Sequence, residues 1–301
     1  MKNRISQLFL AFCLSIILVG CSDDDDNTVV TPNPLDTTST PITNNNYWSM
    51  KVGTYWIYDN YAVNTESAKF GSPTSQDSII IATSGTIDSK SAYTATVYKN
   101  GNLSEGYSFA PEKNALYVTA DFVTPVIQNI PFVKDYITIP EFGWLKIADT
   151  QTASWELFPS PIKVENMAIP YEITGVTNPV LNMGIQAIIS RKSTGTMVNP
   201  VTGATVNTLT FEIKYEITGT VSGTVMSVMP IEAEISGAMY SYITFAEGIG
   251  LVANYRPTQT LSIIASIDNA ALKVLLGGQE SISIFEEEVE GEGSFLIRYN
   301  N

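Results

Sequence analysis

The feature that most limits what this chain can fold into is a two-residue alternation of apolar and polar side chains. It recurs after residue 46 and is broken by turn residues at hairpin spacing. The clearest instance is SAYTATVYKNGNLSEGYSFA, residues 91–110, where Asn100-Gly101 separates two alternating runs. Asn-Gly is the strongest short hairpin signal, because both residues accept the positive φ of a type I′ turn. Ala92, Thr94, Thr96 and Tyr98 are expected on one face, and Tyr93, Ala95 and Val97 on the other. Similar runs include TYWIYDNYAV (54–63), DSIIIATSG (77–85), GWLKIAD (143–149) and TASWELF (152–158). Others are NTLTFEIKYEITGTVSGTVMSVMP (207–230), MYSYITFAEGIGLVANYR (239–256) and TQTLSIIASI (258–267).

Pro159, Pro161, Pro170, Pro179 and Pro200 bound or interrupt such runs, as proline does at strand edges and turns. Helical periodicity is nearly absent. One short helix is expected at Asn269–Leu276, with Asp268 as N-cap and Gly277 just past its end. The expected fold is all-β, with about a dozen strands in antiparallel sheets, sandwich-like or as a curved half-barrel, and one short helix near the C-terminus. PYEITG at 170–175 returns as KYEITG at 214–219, which good strand-then-turn sequence explains without a duplication.

The first 46 residues follow other rules. Lys2 and Arg4 precede an apolar stretch from Leu8 to Gly20. That stretch is too short for a bilayer core of about 30 Å, which needs about twenty residues. A charged start, a short apolar core and small residues before a cut site describe a secretory signal peptide, residues 1–20. From Asn27 to Asn46 the chain is mostly Thr, Asn, Pro, Asp and Ser, too polar to offset its ordering entropy by burial. Residues 21–46 are therefore a tether and 47–301 the β-rich domain, one unit or two subdomains dividing near 160.

Leu18-Val19-Gly20-Cys21 resembles the lipobox of bacterial lipoproteins, in which the cysteine becomes the lipidated first residue. Ser22-Asp23-Asp24-Asp25-Asp26 resembles the acidic export signal of surface lipoproteins in Bacteroidota-type Gram-negative bacteria. Together these resemblances imply a protein held to the outer membrane by lipid and facing the cell exterior. Several acyl chains give stable anchorage where one is marginal. Thr37, in Asp36-Thr37-Thr38, and Ser78, in Asp77-Ser78-Ile79, resemble O-glycan acceptors of those bacteria.

Composition excludes much chemistry. There is no histidine, and the two cysteines are Cys13, inside the signal peptide, and Cys21. Ser-His-Asp and Cys-His nucleophilic sites are ruled out, as are the usual zinc and copper ligand sets. No cofactor or metal is expected. Removing Lys2 and Arg4 takes the basic count from 16 to 14 against 30 acidic groups, a net charge of −16. Such a surface argues against nucleic acid and against docking on anionic lipid. Two carboxylates alone can serve glycoside hydrolysis, but nothing in the sequence marks a pair. No catalytic residue is assigned and the expected role is non-enzymatic.

Gly53-Thr54-Tyr55-Trp56-Ile57-Tyr58 resembles the first strand of an uncharacterised group of bacterial lipoproteins and envelope proteins. Phe245-Ala246-Glu247-Gly248-Ile249-Gly250-Leu251-Val252 resembles their Gly-Ile/Val-Gly-Leu-Val strand near the C-terminus. The resemblance implies a curved sheet that cups an apolar ligand, lined here by stretches such as Ile79–Ile81 and Leu261–Ile264. The residues themselves read as core, with the glycines allowing a bulge or bend. The alternative is a glycan-binding accessory lipoprotein of an uptake system, with Tyr47, Trp48, Trp144 and Trp155 as an aromatic platform. A structural role with an unpaired edge for a protein partner is the third class. Glu286-Glu287-Glu288-Val289-Glu290-Gly291-Glu292 reads as a solvated charge run near a loop rather than a Ca²⁺ site, because it lacks EF-hand spacing.

Overall fold

The structure, a computed structural model, describes residues 46–122, 136–169, 176–225, 229–275 and 277–300. The expected signal peptide, Cys21, the aspartate run, Thr37 and the first PYEITG copy lie outside them. The described chain is all-β. Its strands are β1 (Tyr55–Val63), β2 (Lys69–Ile87), β3 (Lys90–Lys99), β4 (Asn102–Pro111), β5 (Ala115–Thr119), β6 (Trp144–Asp149), β7 (Ser154–Glu156) and β8 (Ile162–Ala168). There follow β9 (Val176–Val198), β10 (Thr205–Val225), β11 (Met229–Ala246), β12 (Gly250–Arg256), β13 (Gln259–Ser266), β14 (Ser281–Val289) and β15 (Glu292–Asn300). Asn100 and Gly101 form the expected two-residue turn, with φ of 48° and 77° and Lys99 facing Asn102. Helix α1 (Ala270–Leu275) is a short turn of six residues and adds little to the architecture.

All strands belong to one antiparallel sheet, ordered β6-β5-β4-β3-β2-β1-β15-β12-β11-β10-β9-β7. Off this path β13 pairs with β11 and β14, and β8 pairs with β9. The sheet is open, yet its terminal strands β6 and β7 are consecutive in the chain, so it must curl until its ends approach. The seam is closed by side chains rather than by a ladder. Trp155 donates its indole N–H to the Lys146 carbonyl at 2.7 Å, and the Lys146 ammonium lies 4.8 Å from the Trp155 ring centre. Arg191 reaches the Thr150 carbonyl at 3.0 Å. Asp149 accepts from Lys146, from the Gln151 and Thr152 amides and from the Thr152 hydroxyl. Burial alone would raise its pKa, but these donors hold it below the ordinary carboxylate value.

Inside the curl lies one apolar core shared by both limbs of the sheet. Trp56, Leu116, Ile147, Phe158, Phe211, Tyr215 and Phe245 are all fully buried there. Along β10 the pattern is strict: Phe211, Ile213, Tyr215 and Ile217 point in, while Glu212, Lys214 and Glu216 are half-buried on the outer face. That is the reverse of a transmembrane barrel, whose outer band is apolar. Strands β9, β10 and β11 are far longer than the sequence runs suggest, at 23, 21 and 18 residues.

Two strands were not anticipated, β14 and β15, and the acidic run is not in a loop. Glu286, Glu287 and Glu288 lie in β14, which among the described residues pairs only with β13 and so leaves its other edge without a strand partner. Three adjacent carboxylates masked the strand signal carried by Ile284 and Val289, which are buried. Charge at a free edge blunts its pairing with another chain, which is a structural use for the run.

Near the corner where β12 passes into β13, the chain departs from β11. Between Tyr242↔Tyr255 and Gly237↔Ile263, β11 advances five positions (242 to 237) while the facing chain advances eight (255 to 263). Gln259 fills the gap in the ladder. Its side-chain amide accepts from the Tyr240 N–H and donates to the Tyr240 carbonyl, both at 2.8 Å, as a neighbouring peptide would. Thr258 and Gly291 complete the corner around Val63, where a methyl group on Gly291 would lie 1.9 Å from the Val63 carbonyl oxygen.

Candidate functional site

The two stretches that carry the envelope-protein resemblance form one joint. Strand β12 pairs with β15 only over Ala253–Arg256, so the carbonyls just before this segment need other partners. The indole N–H of Trp56 donates to the Ile249 carbonyl at 2.7 Å, and the Tyr58 hydroxyl to the Leu251 carbonyl at 2.9 Å. Gly250, at φ 103°, lets the chain pass close to the indole, because a methyl group there would stand 3.2 Å from the Trp56 ring. Burial pushes the Tyr58 pKa well above its ordinary value. These residues lock the core, as their sequence reading as packing residues indicates.

The proposed aromatic platform does not assemble. Tyr47 and Trp48 are only 5% and 4% exposed, and Trp48 packs edge-on against Phe245 with its N–H on the Glu112 carbonyl. They plug the end of the molecule where the chain enters, and Gly248 N–H bonds the Asn46 carbonyl beside them. Trp155 closes the seam against Phe211, and half-buried Trp144 donates to the Ile87 carbonyl. Adjacency to a polar tether misled the expectation, since a tether ends wherever its first large apolar side chains find a core.

A different aromatic row crosses the outer face. Tyr242 stacks on Tyr255 at 5.2 Å and Tyr255 on Phe295 at 5.7 Å, with Tyr61 edge-on to Phe295. Lys69 lies over Phe295 and Tyr61. Tyr255 and Phe295 are 6% and 5% exposed, so their faces are spent on each other. The row is a small second core, bounded by Glu212, which accepts from Tyr242 and Lys192.

The stretches expected to line an apolar pocket are also packed: Ile79, Ile81, Leu261 and Ile263 are core residues. Ser78 sits mid-strand in β2, half-buried between Ile57 and Tyr98. Among the described residues no group of acidic side chains is arranged to hold a metal ion.

The concavity with open polar chemistry lies at the far end of the β9–β11 ribbon. There Thr177, Asn178, Ser222, Gly223, Thr224, Pro230, Ile231 and Glu232 line an open concavity of about 590 Å³. A register shift between Ser222 and Thr224 leaves Gly223 without a partner on β9, and Asn178 takes φ 51° opposite it. A methyl group on Gly223 would meet Val176 Cγ1 at 2.7 Å. Thr177 and Thr224 lock the rim through hydroxyls 2.6 Å apart. By alternation, Thr218, Thr220, Ser222 and Thr224 share the outer face, so their hydroxyls recur about every 7 Å. The alternation was legible in ITGTVSGTV, but the notch was not, because it depends on a bulge between strands.

The fold defines an all-β protein built on one long, curled antiparallel sheet. No protein-family model matches the chain, and no curated protein matches it. Among solved structures, a candidate lipoprotein of Parabacteroides distasonis aligns with TM-score 0.36 and 13% identity, over 84% of this chain and 98% of its own. An exported protein with a YmcC-like fold from Bacteroides fragilis aligns with TM-score 0.33 and 12% identity, over 85% and 99%. At these scores neither likeness bears on function.

Proposed function

We propose that this chain is a non-enzymatic binding lipoprotein, anchored through Cys21 to the outer membrane and displayed on the cell exterior. The observation that carries the reading is Leu18-Val19-Gly20-Cys21 closing a short apolar run directly before Ser22 and Asp23–Asp26. Two features support it. The mature chain lacks histidine and any thiol but the anchor, which removes the commonest nucleophilic machinery. The tether joins the domain at Asn46–Trp48, and Ser222 lies fourteen residues along β10 from Thr208, which pairs with Ala246 beside that end. The far end of the ribbon therefore lies up to about 45 Å along the strand from the membrane-side end, which suits display.

Binding is assigned to the outer surface rather than to an apolar cup, since core side chains occupy the expected lining. Replacing Cys21 with Ala moves the protein from the membrane to the soluble fraction; retention of that variant in membranes refutes the anchor. Neutralising Asp23–Asp26 abolishes cleavage by protease added to whole cells, and unchanged cleavage refutes the export role. Thr37 and Ser78 are proposed O-glycan acceptors, to be checked by intact mass before and after their replacement by Ala.

A further inference from the structure

We propose that the notch at the far end of β9–β11 binds neutral saccharide chains through their hydroxyl groups. The inference rests on the binding role proposed above but not on the anchor.

Three side chains in the notch have their hydrogen-bonding capacity open. Among the described residues, Asn178, Ser222 and Glu232 make no side-chain hydrogen bond or ion pair, whereas the adjacent Thr177 and Thr224 hydroxyls satisfy each other. An amide, a hydroxyl and a carboxylate together offer donors and acceptors to one ligand. This combination suits vicinal sugar hydroxyls, each of which donates and accepts. Pro230, opposite Thr224, adds a small apolar surface for the C–H face of a ring. The notch is an open groove of about 590 Å³, reached from solvent along its length, which suits a chain laid across it rather than a ligand enclosed by it.

The geometry is set before any ligand arrives. All the lining residues lie on strands, with Ser222 opposite Glu232 and Thr224 opposite both Thr177 and Pro230. Sites on regular elements hold position better than sites on loops. Thr218 and Thr220 continue the polar face toward the middle of the ribbon, so a chain longer than one ring meets further hydroxyls.

Charge narrows the class. Glu232 lines the notch and Glu234 follows two residues along the same strand, while no lysine or arginine is among the lining residues. Lys214, on the same face, is spent on Glu216. A uronate or sulfated chain would meet uncompensated negative potential, and a single carboxylate is too few for a cation site. Neutral chains remain.

The test is affinity electrophoresis of the full chain in detergent through gels containing a neutral glucan, mannan or galactan, or anionic polygalacturonate. We expect retardation in at least one neutral gel and none in the anionic one. Ser222→Tyr, which fills the notch with a strand-compatible side chain, should weaken the retardation at least tenfold. Asn178→Gly, which keeps the positive φ but removes the amide, should weaken it severalfold. Absence of retardation in every neutral gel overturns the proposal, as does equal retardation of folded Ser222→Tyr, or preference for the anionic gel. Loss of membrane anchorage leaves this readout unchanged, so the two readings fail separately.

Discussion

The two ends of the long ribbon are built from the same ladder and finished in opposite ways. At the end where the chain enters, three large polar-tipped side chains have their donors tied to carbonyls: Trp48 to Glu112, Trp56 to Ile249, Tyr58 to Leu251. At the far end the lining is Thr, Ser, Asn and Glu, and three of these side chains have no partner within the described residues. The same long ladder runs to both ends, so the contrast rests chiefly on the side chains that finish them. Aromatic residues with bonded tips exclude water and fix one packing, whereas short polar side chains on the same scaffold stay solvated and available.

The largest way to break this contrast is at Trp56. Replacing it with Ala removes a side chain 2% exposed together with its hydrogen bond, and should cost about 3–5 kcal/mol in urea unfolding. A loss under about 1 kcal/mol, the usual size for a surface change, would show that the joint to Gly250 is not a lock.

Alkali provides the next test. Burial raises Tyr58 well above its ordinary pKa and pushes Tyr215 and Tyr255 up to about 12. The folded state therefore holds these protons more tightly than the unfolded chain. That stability is fully present below pH 10 and is lost as pH rises from 10 through about 12. The expected loss is on the order of 2–3 kcal/mol for Tyr215, followed as the shift in urea midpoint across that window. A flat response from pH 10 to 12 would contradict the burial of these hydroxyls.

A smaller effect belongs to the corner between the ends. Gln259→Ala leaves the Tyr240 amide and carbonyl without the side chain that mimics a peptide, and should cost about 1–2 kcal/mol. Amide exchange at Tyr240 should accelerate locally, while exchange at Phe211 stays slow. Uniform acceleration would show that the corner is coupled to global unfolding. The smallest effect sharpens the comparison from the other side. Ser222→Tyr should change stability by no more than about 0.5 kcal/mol, since no hydrogen bond among the described residues uses that hydroxyl. A large loss would mean that the notch is structural.

Much of the fold was legible because alternation reports directly on which side chains face a core. Asn100-Gly101 announced its hairpin, and Trp56 and Tyr58 read as packing residues. Legibility failed where two signals overlapped. Glu286–Glu288 look like a loop until β13 is seen beside them, and Tyr47-Trp48 look like a platform until Phe245 is seen packed on Trp48 and Tyr47 on Trp48 in turn.

The sequence by itself determined the all-β class, the exclusion of histidine and disulfide chemistry in the domain, and the features that point to an anchor at Cys21. These follow from local periodicity and composition, which need no knowledge of neighbours. Only the tertiary structure decided that β6 and β7 meet at a seam, that the stretches around Trp56 and Gly250 join, and that a polar notch opens at Gly223. Each of these depends on residues distant in the chain coming within hydrogen-bonding or van der Waals range. Strand pairing fixes those distances, and it is a property of the whole sheet rather than of any segment.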